Sequence, residues 1–406
     1  MKKENRKTRK DAQCEATYIA SVSRLYYNGV HNAQRPGHLL RRKGERPMDL
    51  AEIRSLRRAL HKCPECSGQE ERTRTELMNF LAKHTTLELH SCGAGFYAAH
   101  REAKGRKPSV ALRADYDALA LPGGGAAHLC GHDGHAAALC GAALSIQGET
   151  LGRNAYFLFQ PAEETGAGAL GCCELFEREQ VDEIYGAHNL PGVPFGQVVT
   201  RAGTFACASQ GVTLSFLGRP THAAYPEHGR SPAIGVGQLL CALPELAQPS
   251  RYGGMTLCTV IGVEMGARAF GTAAAQAEVW LTLRAEWDED LSHLHGSILQ
   301  LARTLAAEYG LAFDHQVQDV FPATVNHPGC ARRVLELCGG TVLETPMRWS
   351  EDFGHYLRRC PGAFFGVGAG ESCPPLHTKD YEYPDALLEP TVAAFRSILL
   401  GDSQNA

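Results

Sequence analysis

The segment AYFLFQPAEE, residues 155–164, places two acidic residues directly after a run of apolar and aromatic side chains. The run AYFLFQ is short and continuous, a pattern that predicts a strand inside a sheet covered on both faces. Adjacent carboxylates are usually no more than solvated surface charge. Glu163 and Glu164 instead follow the carboxyl end of a buried strand, which is where α/β folds place their functional sites.

Strands and helices alternate on either side of this segment. Apolar patterns predict further strands at 109–114, 183–189 and 197–203, and helices at 135–146 and 169–179. Two amphipathic helices precede the first of these strands. Strands that alternate with helices predict an α/β domain with a largely parallel sheet covered by helices on both faces.

The order of elements changes after Gly203. Four strands and two helices follow in the order β-α-β-β-α-β, at 212–216, 231–248, 255–263, 278–287, 291–310 and 311–320. This is the order of a ferredoxin-like module. The mixed pattern resumes after Phe321, with a strand at 362–368 and a final helix at 386–400, so the module is inserted into the larger domain.

The chain therefore divides into three parts. Residues 48–207 and 320–406 form the larger domain, residues 208–319 form the inserted one, and residues 1–47 precede both. This first part begins MKKENRKTRK and lacks periodicity, so we expect a disordered extension, or a start site assigned upstream of the true Met48. A basic arm that binds nucleic acid is the alternative for this segment.

Composition narrows the classes of function. The 406 residues are 44% hydrophobic and 21% charged with a net charge of −4, as in a globular protein with a large core. No basic stripe of the kind that binds nucleic acid runs through the body of the chain, and no apolar run approaches the ~18 residues that span a bilayer. Fifteen cysteines lie scattered, without disulfide-framework spacing or a preceding secretory signal, which indicates a reducing cytoplasmic location.

The segment HLCGHDGH, which begins at His128, carries a possible pair of metal ligands. Cys130 and His132 are two residues apart, so in an extended loop their side chains would leave on the same side. Thiolate and imidazole both bind borderline-soft divalent ions, although an ordinary loop explains the pair equally well. His128 and His135 are open to three roles: ligand, substrate contact or mere neighbour. Asp133 is a candidate carboxylate for fixing an imidazole tautomer.

Two further histidines follow predicted strands, His188 in AHN and His377 in LHTKDYEY. Each alone is more often a structural residue than a ligand. Four potential ligand sources at the carboxyl ends of strands in one sheet are unlikely to arise by chance, so the sequence predicts a metal site of undetermined nuclearity. One glutamate of the Glu163–Glu164 pair could then bind metal while the other accepts a proton from water, as metal-assisted hydrolysis requires.

The chain resembles the amidohydrolase branch of the dinuclear metallopeptidases, which includes hippurate hydrolase, bacterial aminoacylases and plant hydrolases of indole-acetyl amino acid conjugates. The matching segments run in the family's order over nearly all of residues 48–406. They are RRALHKCPECSGQEERT (57–73), ALRADYDAL (111–119), CGHDGHAA (130–137), FLFQPAEETGAGAL (157–170), GAHNLP (186–191), RPTHAAYP (219–226), PATVNHP (322–328), SEDF (350–353) and LHTKDYEY (376–383).

The resemblance implies a zinc-peptidase-like α/β catalytic domain with a mixed sheet and helices on both faces, plus an inserted ferredoxin-like α+β lid that often forms a homodimer. It implies two divalent ions, and zinc, manganese, cobalt and nickel all suit the ligand types. Glu163 matches the general base, and His222 matches a lid histidine that reaches the substrate, commonly across the dimer. The implied metal ligands are Cys130, His132, Glu164, His188 and His377.

The expected function is metal-dependent hydrolysis of N-acyl amino acids to a carboxylate and a free amino acid. A dipeptidase or small-peptide carboxypeptidase on the same scaffold is the alternative, followed by a non-catalytic binding protein and by a structural zinc or redox site. Two departures from the family concern the substrate. The loop ALPGGGAAH (120–128) is shorter and richer in glycine than usual, and Gly271 stands where an asparagine is typical.

Overall fold

The computed structural model describes residues 50–102 and 107–401. The extension expected at 1–47 and the proposed start at Met48 lie outside these residues. The helices are α1 (Ala51–His61), α2 (Glu71–His84), α3 (His132–Ser145), α4 (Gly168–Cys172), α5 (Leu175–Arg178), α6 (Ala233–Leu246), α7 (Asp288–Glu308), α8 (Pro328–Cys338), α9 (Gly354–Leu357) and α10 (Leu388–Leu400).

The strands begin with a hairpin and continue through both sheets. They are β1 (Glu88–Cys92), β2 (Gly95–His100), β3 (Ser109–Asp115), β4 (Leu119–Ala120), β5 (Ala126–Ala127), β6 (Asn154–Gln160), β7 (Glu183–Pro191), β8 (Val198–Thr200), β9 (Gly203–Ala206), β10 (Ala208–Leu217), β11 (Thr221–His222), β12 (Thr256–Met265), β13 (Thr272–Ala273), β14 (Gln276–Ala285), β15 (Ala312–Phe321), β16 (Thr324–Asn326), β17 (Thr341–Val342) and β18 (Gly362–Gly370). Short 3₁₀ helices lie at Pro226–His228, Pro249–Arg251 and Asp385–Leu387.

The larger sheet has the strand order β1-β2-β6-β3-β7-β18-β8-β17. Its central strands β6, β3, β7 and β18 are parallel, whereas β1, β2 and β6 pair antiparallel, as do β18 and β8. Successive residues of β3 enter different hydrophobic clusters, Val110 and Leu112 on one face and Ala111 on the other. Both faces are therefore covered by helices, and the expected α/β class with a mixed sheet is confirmed.

The smaller sheet is antiparallel and has the order β12-β14-β10-β15. Its elements follow the predicted β-α-β-β-α-β order, with α6 after β10 and α7 after β14. One face is buried against the two helices, where Leu214, Leu281 and Leu294 belong to one hydrophobic cluster. The opposite face leaves the apolar side chains of Leu217 and Trp280 partly exposed.

Two predicted elements differ from the structure. The strand expected at 197–203 is two strands, because the chain leaves the larger sheet after β8 and turns at Gly203, whose φ is 77°, so that β9 pairs with β16. The helix expected at 169–179 is interrupted between α4 and α5. Its glycine-rich first half, GALGC, has low helix propensity, which explains why the helix does not continue.

Parallel pairing brings the carboxyl ends of four strands to one edge of the larger sheet. β3 ends at Asp115, and β6 ends at Gln160, three residues before Glu163. β7 carries His188 near its end, opposite Gly366 of β18. The same parallel alignment that buries these strands thus collects the chemically active side chains. Within the described ranges, no helix combines the length and apolarity needed to cross a membrane.

We expect Leu214→Ala to lower the free energy of unfolding by about 2–5 kcal/mol, because the side chain is fully buried beneath α6 and α7. Val317→Ala on β15 is the control, since 41% of that side chain's surface is exposed, and it should cost less than about 0.5 kcal/mol. Urea denaturation measures both. Equal losses would contradict the burial of Leu214.

Candidate metal centre

Cys130 and His132 are separated by a tight turn. The extended loop expected from their spacing is wrong, because Gly131 has a φ of 98° and α3 begins at His132. A Cβ atom at position 131 would lie 2.5 Å from Oδ1 of Asn189 and 2.6 Å from the hydroxyl of Tyr381. Glycine is therefore required both by the backbone conformation and by the space available.

The structure brings all five predicted ligands together in two groups that share one thiol. Sγ of Cys130 lies 3.4 Å from Nε2 of His188, and His132 completes this first group. The same sulfur lies 3.4 Å from Nε2 of His377, which is 3.5 Å from Oε1 of Glu164 in the second group. Nε2 of His132 is 3.8 Å from that carboxylate oxygen, so the two groups are adjacent.

These separations fit divalent metal ions. Metal–ligand bonds of about 2.0–2.3 Å in a tetrahedral site place neighbouring ligand atoms roughly 3.3–3.8 Å apart. Nε2 of His132 is also buried without a hydrogen-bond partner in the described part of the chain, a costly state that a metal bond would relieve. Thiolate, imidazole and carboxylate together are the donor set of zinc and related ions.

Two ligand segments have strained backbones. His377 has a φ of 62° and Ala162, two residues before Glu164, has a φ of 53°. Each such residue costs of the order of 1–3 kcal/mol and persists only where its surroundings fix it. The His377 amide donates to the Leu129 carbonyl at 2.8 Å, and the Ala162 amide donates to the buried Glu70 carboxylate at 2.8 Å. Such strain is characteristic of functional sites.

The protonation states of the histidines differ. Burial and the neighbouring His135 lower the pKa of His188 well below its usual range, so its Nε2 carries a free lone pair. Hydrogen bonds to Cys130 and Glu164 raise the pKa of His377 to about 10. Burial raises the pKa of the Cys130 thiol. Without metal, His377 and Cys130 therefore hold protons at neutral pH.

Asp117 orients two of the ligands, a role that the sequence analysis missed. Its Oδ1 lies 2.9 Å from Nδ1 of His132, which leaves Nε2 facing the other ligands. Its Oδ2 accepts hydrogen bonds from the Glu164 amide at 3.0 Å and the Ser67 hydroxyl at 2.7 Å. Asp133 does contact an imidazole, but it is that of His61, at 2.8 Å from Nδ1, and His61 is not a predicted ligand.

Glu163 is buried beside the ligands, with its carboxylate 3.9 Å from Nε2 of His132. Burial and the acidic neighbours Glu351 and Glu164 raise the pKa of Glu163 well above its usual range. A carboxylate of raised pKa is a stronger base toward water than an ordinary one, and it keeps the accepted proton available for a later transfer. The arrangement thus offers a proton carrier next to a potential metal site.

His222 lies apart from this cluster. It is exposed on β11, opposite Thr272 of β13, and its Nδ1 accepts a hydrogen bond from the Ala224 amide at 3.1 Å. No hydrogen bond or ion pair joins His222 to any of the five predicted ligands within residues 50–102 and 107–401.

Comparison with known proteins identifies the family. A model of peptidase family M20/M25/M40 matches residues 111–401, which include every predicted ligand. The chain belongs to this family. The resemblance noted from the sequence motifs is confirmed, and the chain is a metal-dependent hydrolase that acts on amide bonds.

Two bacterial relatives align with most of the chain. An N-acetyl-L-cysteine deacetylase from Bacillus subtilis (strain 168) is 28% identical over 369 residues, or 86% of each protein. An N-acetyldiaminopimelate deacetylase from Lacticaseibacillus casei (strain BL23) is 26% identical over 372 residues, covering 86% of this chain and 97% of the relative. A solved dinuclear metal-binding peptidase of the M20 family from Bacillus subtilis matches with a TM-score of 0.71 and 24% identity, over 86% of this chain and 98% of its own.

We expect zinc binding to displace protons and to tighten as the pH rises toward about 10, the pKa of His377. Zinc affinity rises with pH because a raised pKa keeps the His377 ring protonated at neutral pH, and only the neutral ring binds metal. Isothermal titration in buffers of different ionisation enthalpy counts the protons. His377→Ala should release about one proton fewer per chain, whereas the exposed control His228→Ala should match the unaltered chain. Equal release from all three would contradict the assignment.

Proposed function

We propose that the chain hydrolyses N-acyl amino acids to a carboxylate and a free amino acid, with two divalent ions in the site. The observation that carries this proposal is the pair of ligand groups sharing Cys130, with the buried carboxylate of Glu163 beside them. Both deacetylase relatives are named for N-acetylated amino acids, and the Bacillus subtilis peptidase is described as dinuclear. The proposed ligands are Cys130, His132, Glu164, His188 and His377.

Divalent ions in this site would lower the pKa of water and polarise the substrate carbonyl. In the proposed mechanism Glu163 accepts the proton from the attacking water and then donates it to the leaving nitrogen. Its burial supports the second step, since a raised pKa keeps the proton available for transfer. Asp117 holds His132 in one tautomer throughout. The thiol ligand favours zinc, while manganese, cobalt and nickel are compatible with the imidazole and carboxylate ligands.

We further propose that residues 48–207 and 320–406 are the catalytic domain, and that residues 208–319 are a lid that forms a homodimer. In this arrangement His222 contacts the substrate from the partner chain and stabilises the developing negative charge. The exposure of His222 and the apolar side chains on the outer face of the smaller sheet support this proposal. All cysteines in the described ranges are free thiols, which supports a reducing, cytoplasmic location.

The substrate class is tested with purified chain reloaded with each metal in turn. Acetyl, benzoyl and fatty-acyl amino acids are compared with dipeptides and with unrelated amides, and product amine is measured. We expect the highest kcat/KM for an N-acyl amino acid. A preference for dipeptides would replace the proposal with a peptidase, and binding without turnover would exclude an enzyme of either kind.

Glu163→Gln should leave the metal content unchanged and lower kcat by about 10²–10⁴-fold, because the amide has the size of the carboxylate but accepts no proton. Glu164→Gln is the matched comparison and should lose metal as well as activity. Metal per chain is measured by mass spectrometry alongside the rate. Substantial activity in Glu163→Gln would remove this residue from the proton-transfer role.

His222→Ala should lower kcat/KM by about 10²–10³-fold with metal content unchanged, as the loss of one charge-stabilising donor typically does. His228→Ala, an exposed histidine of the same segment, is the control and should retain the rate. Size-exclusion chromatography with light scattering reports the oligomeric state of both variants. A fully active His222→Ala dimer would contradict the proposed contact.

A further inference from the structure

His135 is the one histidine of the HLCGHDGH segment whose two ring nitrogens are both engaged by other groups in the site. Nδ1 lies 2.7 Å from Oδ1 of Asp115. Nε2 lies 2.5 Å from Oδ1 of Asn189 and 3.1 Å from the Asn189 amide nitrogen. Both ring nitrogens thus have protein partners, which favours a supporting role for His135 over a metal-ligand role.

The contacts of His135 continue in both directions. Arg113 donates to Oδ2 of Asp115 at 2.7 Å, and Nδ2 of Asn189 donates to the hydroxyl of Tyr381 at 2.6 Å. Asp115, His135, Asn189 and Tyr381 are all buried. They form a continuous hydrogen-bonded chain, termed the buried relay below, through the wall of the site.

The buried relay touches three separate segments that carry ligands. Asn189 follows His188 directly, and the His135 ring packs edge-to-face on the His188 ring with centroids 4.5 Å apart. Tyr381 lies four residues after His377 in the same loop. Oδ1 of Asn189 and the Tyr381 hydroxyl also occupy the space beside Gly131, between the two ligands of the α3 turn.

We propose that the buried relay Asp115–His135–Asn189–Tyr381 positions the ligand segments and thereby sets the metal affinity of the site. Its members are positioning residues, because none of them offers an atom to the two ligand groups. The physical basis is preorganisation: ligands from distant parts of the chain bind tightly only when their relative positions are fixed before the ion arrives. This inference rests on the proposed ligand set.

Tyr381→Phe and Tyr383→Phe provide a matched pair. Both tyrosines are buried in the same segment, 4% and 1% exposed, and each change removes one hydroxyl. Only the Tyr381 hydroxyl belongs to the relay. Zinc dissociation constants are measured by competition with a chromophoric chelator, and the visible absorption of the cobalt-loaded protein reports ligand geometry.

Tyr381→Phe should weaken zinc binding about 10–100-fold and alter the cobalt absorption, as changes to groups that orient ligands typically do. Tyr383→Phe should bind zinc within about twofold of the unaltered chain and keep its spectrum. Thermal unfolding of the metal-free variants separates a loss of affinity from a loss of fold. His135→Phe removes both ring hydrogen bonds and should weaken binding further.

Equal zinc affinities for the two tyrosine variants, with both folded, would overturn the inference. Cys130→Ser distinguishes this failure from a failure of the proposed function. If Cys130→Ser binds zinc as tightly as the unaltered chain, the ligand set itself is wrong. If it loses zinc while the tyrosine variants stay alike, only the role of the buried relay is rejected.

Discussion

The structure of the site depends on the burial of one arginine among acidic side chains. Arg113 is fully buried at the end of β3 and donates to Asp115 at 2.7 Å, Asp352 at 2.8 Å and Gln160 at 2.7 Å, with Glu351 2.9 Å away. Burying a guanidinium without partners costs several kcal/mol, and removing one member of a buried pair typically costs 3–5 kcal/mol. The groups around Arg113 therefore hold β3, β6 and the segment 351–352 in a fixed relation.

This arrangement controls the electrostatics of the neighbouring carboxylates. The single cation cannot neutralise every acid around it, and burial raises the pKa of Glu351 to about 8 and that of Asp352 to about 6, against the opposing effect of Arg113. Glu163 adjoins the same acids and has a raised pKa. Carboxylates forced together away from water favour protons or added cations. The raised pKa of Glu163 and the attraction of this site for cations thus have one physical origin.

Much of the fold and of the candidate site was predictable because the signals for them are local in the sequence. The continuous apolar run of β6 identified a buried strand, and the motif positions identified a set of ligands that the structure brings together. The β1–β2 hairpin escaped prediction because β1, with His90 and Ser91, is half-exposed and has no clear alternation. The hydrogen-bond partners of the acidic side chains could not be predicted from the sequence either. Asp117 contacts His132, 15 residues away, whereas Asp133 contacts His61 and not the adjacent His132.

The difference between local signals and contacts among distant residues also explains why the sequence predicts the motif around His222 but not the place of this histidine in a site. Its local geometry follows from the β11–β13 pairing, which the chain determines by itself. The role proposed for His222 would need a partner chain to bring it to the predicted ligands, since the contacts among those ligands within one chain do not include it. Buried contacts within one fold determine the candidate metal centre, whereas the proposed substrate contacts lie on surfaces that the fold leaves exposed. Gly271, which departs from the family's usual asparagine, lies on such an exposed surface. Its carbonyl oxygen accepts a hydrogen bond from the Ala223 amide, next to His222. Sequence changes there can alter the substrate without disturbing the metal chemistry.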